Sequence, residues 1–198
     1  MNGAVRVRAL EAIGERELRG LCEVLIDCVE GGASVSFMHP MTWAKAESFW
    51  SHAAAARARG ERLVLVAEDE HGICGTVQVV LNLPENQPHR GDVAKMLVHR
   101  RARRRGVGAA LLAAAETRAF EIGRTLLVLD TVTGGDAERL YAREGWQRCG
   151  EIPRYALFPG GEAGDVQALT RPRRLKETRL AGARRRRSSA GQHVARSS

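Results

Sequence analysis

A run of basic residues followed by two glycines is the segment of this chain best suited to bind an anion. It reads His99-Arg-Arg-Ala-Arg-Arg-Arg-Gly-Val-Gly108 and leads from an apolar run into a segment rich in alanine and leucine. If that segment is a helix, the backbone N–H groups of its first turn lack intrahelical partners and carry partial positive charge. Glycine lets a phosphate approach those groups closely, so the sequence predicts a diphosphate site at this helix start.

The two glycines alone allow several interpretations. A nucleotide phosphate loop would need a lysine and a hydroxyl residue after the second glycine, and this chain has neither there. A dinucleotide fold would use Asp130, about 22 residues after Gly108, to bind a ribose, but Leu111 occupies its third glycine position. Five arginines also separate the strand end from Gly106, where that fold turns tightly. A basic helix cap without a ligand and the site of another phosphorylated cofactor remain.

A second motif lies downstream, where Ala137, Tyr141 and Gly145-Trp146 follow one another at intervals of four residues. Together with Arg103-x-x-Gly106-x-Gly108, it resembles the two motifs of the GNAT superfamily of N-acetyltransferases, and the resemblance extends over Val5–Thr170. The stretch from Gly150 to Ala156 resembles most closely the tabtoxin-resistance acetyltransferases, which inactivate a small amino-acid-like toxin. The resemblance implies an acetyl-CoA-dependent N-acetyltransferase whose acceptor is the amine of a small molecule.

The same resemblance implies roles for particular residues. Tyr141 would be the general acid that protonates the coenzyme A sulfur, and Asp130 would anchor or deprotonate the amine. The N–H of Leu97 or Val98 would polarise the thioester carbonyl. Gly134 stands where many members carry an asparagine that binds the pantetheine arm. The predicted cofactor-binding residues are Met96, Leu97, Val98, Arg103, Arg104, Arg105, Gly106, Val107, Gly108 and Ala109.

The acceptor site is expected to involve Ser34–Trp43 and the loop Asn82–His89. Trp43, Phe49 and Trp50 are expected to pack a core rather than bind a ligand. Two alternatives to a small-molecule acceptor stay open. One is a protein or peptide amine acetylated by the same fold, and the other is a non-catalytic module that binds coenzyme A or a polyanion.

Hydrophobic periodicity predicts the elements that position these residues. Apolar residues recur every three or four positions over Glu17–Val29, which is typical of a helix, and the apolar runs at Arg62–Glu68 and Ile73–Leu81 suit a hairpin. The predicted order is β-α-α-β-β-β-α-β-α-β-β. It indicates an α/β (α+β) fold with a mixed, mostly antiparallel sheet of six or seven strands and helices on both faces.

Charge and composition divide the chain into a domain at 1–170 and a basic tail at 171–198. The tail carries ten Arg or Lys and one acidic residue, and the remainder carries 21 basic and 22 acidic residues. We therefore expect a disordered tail, and nucleic-acid contact at most as a weak contact of that tail. The apolar runs are too short to span a membrane, the four cysteines suggest reduced thiols in the cytoplasm, and no metal site is predicted. A homodimer stays open.

Overall fold

A computed structural model describes residues 4–173 of the chain. The observed order of helices and strands is the predicted one, with a short 3₁₀ turn added at Arg100–Ala102 before the third helix. The elements are β1 (Arg6–Ala9), α1 (Glu15–Glu30), α2 (Trp43–Ala58), β2 (Arg62–Asp69), β3 (Gly72–Val80), β4 (Arg90–Val98), α3 (Val107–Glu121), β5 (Leu126–Val132), α4 (Asp136–Arg143), β6 (Gln147–Leu157) and β7 (Ala163–Pro172).

The seven strands form one mixed sheet in the order β1-β2-β3-β4-β5-β7-β6. All neighbouring pairs are antiparallel except β4 and β5, which the α3 crossover joins in parallel. The prediction of a mixed, mostly antiparallel sheet is therefore confirmed. The one parallel pair lies at its centre, where a crossover helix is required to reverse the chain.

Each face of the sheet carries its own core, and helices cover both faces as predicted. The α3 helix packs on one face, where Leu111 and Leu112 contact side chains such as Leu127 of β5. The α1 and α2 helices cover the other face, where Trp50 is fully buried. Trp43 was expected in a core and is instead 44% exposed, because it is the first residue of α2 and lies at the edge of the packed surface.

The central parallel pair is joined at one end only. Its register runs from Arg90, which pairs with Leu126, to Asp92, which pairs with Val128. Beyond that point β4 continues to Val98 without a β5 partner, while β5 continues in pairing with β7. The two strands therefore separate, and each leaves a backbone edge facing an opening in the middle of the sheet.

Several element ends differ from the prediction, and two of these differences bear on the site. The sequence predicts a loop over Asn82–Gly91, but the β4 strand already begins at Arg90, because its first residues pair with β5. The β7 strand runs through Pro172, past the predicted domain end at residue 170. The tail predicted at 171–198 lies, from residue 174 onward, outside the described residues. Within residues 4–173 no helix is long and apolar enough to cross a membrane, and no group of three or more His, Cys, Asp or Glu side chains could hold a metal ion.

Candidate active site

The backbone N–H of Val98 points into the opening between β4 and β5. The next residue, His99, donates its N–H to the Cys74 carbonyl of β3 at 2.9 Å. Successive amides of a strand point to opposite edges, so the Val98 N–H points away from β3 and toward the opening. The Leu97 N–H points back to Thr76 of β3. Of the two amides predicted to polarise a carbonyl, the geometry therefore favours Val98.

A β-bulge in β4 lies directly beside this opening. Leu97 pairs with Thr76, but Ala94 pairs with Gln78, so β4 contains one extra residue there. Lys95 lies in the bulge with φ of +50°, a left-handed conformation that is uncommon for residues other than glycine. A bulge bends its strand and increases the local twist, which explains why β4 turns away from β5. The sequence does not reveal this bulge, because Val93–Val98 reads as an uninterrupted strand.

The start of α3 provides the unpaired amides that the glycine motif predicts. Gly106 precedes the helix with φ of +75°, a conformation that glycine adopts without strain. The first backbone hydrogen bond of the helix runs from the Ala110 N–H to the Gly106 carbonyl at 3.0 Å. The N–H groups of Val107, Gly108 and Ala109 precede that bond, so they are available to an anion.

The arginines around this helix start divide into two groups. Arg101 and Arg105 both donate to Asp69, whose carboxylate is 1% exposed, and Arg101 holds the pKa of that carboxyl below its usual value. Arg103 donates its Nε to the Val98 carbonyl at 3.3 Å, and within residues 4–173 neither Arg103 nor Arg104 forms an ion pair within 4 Å. Arg103 and Arg104 are therefore the better candidates for side-chain contact with a phosphate.

Gly108 has a second neighbour besides the predicted ligand. A Cβ atom at this position would lie 3.0 Å from Leu140 Cδ2 of α4. The glycine therefore also allows α4 to pack closely against the start of α3. The free amides, the separated strand edges and this narrow cradle together fit an elongated molecule with a diphosphate, as coenzyme A is.

Tyr141 of α4 lies close enough to β5 for the charge of Asp130 to act on its hydroxyl. The residue is 4% exposed overall, yet within residues 4–173 its hydroxyl has no hydrogen-bond partner and is not sealed from solvent. Burial raises the pKa of the phenol, and the negative charge of Asp130 raises it further. The group therefore holds its proton at neutral pH and is open to a reacting molecule.

The Gly145-Trp146 pair of the second motif holds Tyr141 in place. The Trp146 ring packs against the Tyr141 ring with centroids 5.9 Å apart, and its Nε1 donates to Glu116 at 2.8 Å. Arg171 of β7 donates to the same Glu116 carboxylate and to the Gly145 carbonyl. The glycine and the aromatic residue of the motif thus have structural roles that support the tyrosine.

Comparison with known proteins agrees with this geometry. Residues 60–148 match the family model of the acetyltransferase (GNAT) domain, which spans β2 to the start of β6 and includes both motifs. The chain carries a GNAT acetyltransferase domain. Domains of this class belong to acetyl-CoA-dependent N-acetyltransferases, and the enzyme class of this protein is therefore the predicted one.

Solved structures share the fold of this GNAT domain over most of their length. A ribosomal-protein-alanine N-acetyltransferase from Brucella melitensis has a TM-score of 0.70 at 23% identity, covering 84% of this chain and 99% of its own. An N-acetyltransferase from Staphylococcus aureus has a TM-score of 0.71 at 15% identity, covering 85% of this chain and 98% of its own. The third structure is yncA from Salmonella typhimurium, a protein classed as an acetyltransferase, with its cofactor acetyl-CoA. It has a TM-score of 0.71 at 17% identity, covering 91% of this chain and 99% of its own.

Two carboxylates of the GNAT domain face the acceptor side of the opening. Asp130 is an exposed residue of β5, and the motif analysis identified it. Asp92 of β4 was missed, although it interrupts an apolar strand. Desolvation raises the pKa of Asp92, the Arg90 partner lowers it, and the charge of Asp130 raises it. Its Oδ1 is buried and has no hydrogen-bond partner within residues 4–173.

The predicted acceptor segment Ser34–Trp43 also reaches this side. Ser36 accepts a hydrogen bond from Lys95 Nζ at 3.0 Å, and the same ammonium lies 5.7 Å from the ring centroids of Phe37 and Phe49. Burial lowers the pKa of Lys95. The GNAT domain thus places a lysine at the bulge, between the acceptor segment and Asp130, that sequence reasoning did not select.

Proposed function

We propose that this protein transfers the acetyl group of acetyl-CoA to the amine of a small molecule by direct attack. The observation that carries the proposal is the Tyr141 hydroxyl, which is unpaired within residues 4–173 and lies close enough to β5 for the charge of Asp130 to act on it. A buried tyrosine whose hydroxyl lacks a structural partner is suited to donate a proton to a reacting atom.

Acetyl-CoA, when bound, supplies an acetyl thioester. In our proposal the amides of Val107, Gly108 and Ala109 receive its diphosphate, and the Arg103 and Arg104 side chains add charge-assisted contacts. The edge formed by Met96, Leu97 and Val98 flanks its pantetheine arm, and the Val98 N–H donates to the thioester oxygen. This hydrogen bond strengthens as negative charge develops on that oxygen, which lowers the barrier.

Two protons must move for the reaction to balance. The attacking amine must lose a proton, and Asp130 or the desolvated Asp92 is the acceptor that we propose. As the new C–N bond forms and the C–S bond breaks, the Tyr141 hydroxyl gives its proton to the sulfur. The negative charge of Asp130 helps to raise the pKa of Tyr141. When an ammonium or a proton neutralises Asp130, Tyr141 therefore becomes a stronger acid.

Two hydrogen bonds of the acceptor segment Ser34–Trp43 favour a small acceptor. The Ser34 hydroxyl donates to the Leu157 carbonyl at 3.1 Å, and the His39 N–H donates to the Pro159 carbonyl at 3.1 Å. These bonds tie the α1–α2 segment to the β6–β7 turn and narrow one end of the acceptor side. A peptide would need an open groove there. Peptide amines are therefore the main alternative acceptors, and the test compares them with small amines.

The test is an acetyl-transfer assay with the full chain, acetyl-CoA and a panel of amines. The panel contains amino acids, an aminoglycoside, a polyamine and short peptides with free N-termini. Products are identified by mass spectrometry, and acetyl-CoA binding is measured separately by calorimetry. We expect one or more small amines to be acetylated faster than every peptide. Faster acetylation of the peptides would overturn the small-molecule proposal, and the absence of acetyl-CoA binding would overturn the function itself.

A further inference from the structure

Three polar atoms lie buried on the face of the sheet that α1 and α2 partly cover. They are Arg62 Nε of β2, Gln78 Nε2 of β3 and Asp92 Oδ1 of β4, and within residues 4–173 none of them has a hydrogen-bond partner. Gln78 is fully buried. Buried polar groups in folded proteins are almost always satisfied, so this group of atoms indicates that something else binds there.

The sheet register places these atoms in one row. Arg62 pairs with Val80 of β3, and Val80 pairs with Asp92 of β4. Gln78 lies diagonally between them on the same face, and its Oε1 accepts a hydrogen bond from Arg62 Nη1. Its Nε2 is therefore a donor without an acceptor. With strands about 4.8 Å apart, Arg62 and Asp92 are separated by about 10 Å across the sheet.

Arg62 and a pair of carboxylates lie at opposite ends of this row. Asp92 Oδ2 accepts a hydrogen bond from Arg90 at 3.3 Å, and Lys95 lies near Asp130, so Asp92 Oδ1 is the oxygen left without a partner within residues 4–173. The Arg62 guanidinium is half-buried, and within residues 4–173 no carboxylate lies within 4 Å of it. Burial lowers its pKa, although the group remains charged at neutral pH. At the other end, Asp92 and Asp130 supply carboxylates next to the opening. The β2 end of the row thus offers hydrogen-bond donors, and the β4–β5 end offers acceptors for an ammonium.

We infer that Arg62 and Gln78 form an anion subsite and that the acceptor is an amine carrying a carboxylate or similar oxyanion. This inference rests on the proposed function and specifies its substrate class. The ammonium nitrogen lies at Asp92 and Asp130, near the opening, and the oxyanion lies at Arg62 and Gln78. The two charges of the substrate are then about one to two strand spacings apart, roughly 5–10 Å.

The test uses pairs of amines that differ only in a carboxylate. The pairs are γ-aminobutyrate with butylamine and ε-aminocaproate with hexylamine. For at least one pair we expect the carboxylate-bearing member to have a kcat/KM about tenfold higher or more, which is the typical value of a charge-assisted hydrogen bond. Arg62→Met should bring that ratio close to one, and Arg62→Lys should keep part of it.

Arg59→Met is the matched control, because Arg59 is exposed and, within residues 4–173, its side chain pairs only with Glu61. Gln78→Leu is a second variant, which should lower the same ratio without removing a charge. The inference is overturned if no pair shows the preference, or if the preference survives Arg62→Met. Acetyl-CoA binding is measured by calorimetry for each variant, so a loss of the function as a whole is distinguished from a loss of the anion subsite.

Discussion

The cofactor side and the acceptor side of the opening are built from different parts of the chain. On the cofactor side, the contacts that we propose come from backbone groups, namely the Val98 N–H and the first amides of α3. On the acceptor side they come from side chains on three strands, among them Arg62, Gln78 and Asp92. The cofactor side therefore depends on local conformation, whereas the acceptor side depends on which residues the sheet brings into register.

This difference determines how each side responds to mutation. A backbone donor is lost only when the chain changes its path, so single side-chain substitutions on the cofactor side act through sterics. On the acceptor side each substitution removes a charge or a donor directly. Tyr141 stands where the two sides meet, and it should be the most sensitive position of all.

Tyr141→Phe should give the largest effect. We expect kcat to fall about 100-fold, which is typical of losing a general acid. The dissociation constant of acetyl-CoA should change less than twofold, because the amides that hold the diphosphate are untouched. Turnover is best followed by thioester absorbance, since the exposed Cys149 thiol would react with a thiol reagent. An unchanged kcat would remove Tyr141 from the mechanism.

Protein stability provides the control for that variant. Within residues 4–173 the Tyr141 hydroxyl makes no hydrogen bond, so its removal breaks none. We expect the thermal midpoint of Tyr141→Phe to remain within about 1 °C of the parent protein, far less than the shift that loss of 1 kcal/mol produces. A large drop would indicate that the hydroxyl has a structural role instead.

Gly108→Val should weaken acetyl-CoA binding by tenfold or more, as judged by calorimetry, because a side chain there fills the cradle. The same substitution also presses on Leu140, whose Cδ2 lies 3.0 Å from the position of a Cβ atom. The double variant Gly108→Val with Leu140→Ala separates the two effects. If binding returns in the double variant, the glycine serves helix packing and not the approach of the diphosphate.

Asp69→Asn tests whether Arg101 and Arg105 are structural. The substitution removes the charge from a carboxylate that both arginines contact, and we expect a loss of about 2 kcal/mol in the free energy of unfolding at pH 7. Because the folded-state pKa of Asp69 is lowered from 3.8, its stabilisation is complete above that value and disappears as the pH falls through the folded-state pKa. Denaturant unfolding at several pH values should show the difference narrowing below about pH 4.

The smallest effect that we predict is the effect of Asp130→Asn on the pKa of Tyr141. Burial is the larger cause of the raised pKa and would remain, while the contribution of the Asp130 charge would be removed. The chain has two tyrosines, so a Tyr155→Phe background leaves Tyr141 as the phenol that tyrosinate absorbance reports. We expect a lower pKa in the Asp130 variant. An identical titration would show that the two groups are not coupled.

The fold was predictable because its determinants are periodic and local. The α1 helix has apolar residues at helical spacing, and the β2–β3 hairpin has two apolar runs around Gly72. The order of elements and the mixed sheet follow from these patterns. The separation of β4 from β5 did not follow, because it depends on a bulge at Lys95 that arises only when the strand pairs with β3.

The sequence could propose the candidate site only where that site consists of consecutive residues. The amides around Gly106 and Gly108 are read from one short segment, and Tyr141 from another. Arg62, Gln78 and Asp92 are far apart in the chain, and only strand register brings them together. One signal was available, since Asp92 and Gln78 are polar residues inside apolar strands and therefore require a partner.

The Arg171 side chain has a practical consequence for anyone shortening this protein. It belongs to β7, and by contacting Glu116 and the Gly145 carbonyl it fastens the turn that follows Tyr141. The backbone N–H of Arg173 also donates to the Thr125 carbonyl at 2.8 Å. A chain cut after residue 170 would lose these contacts, and the packing around Tyr141 would loosen.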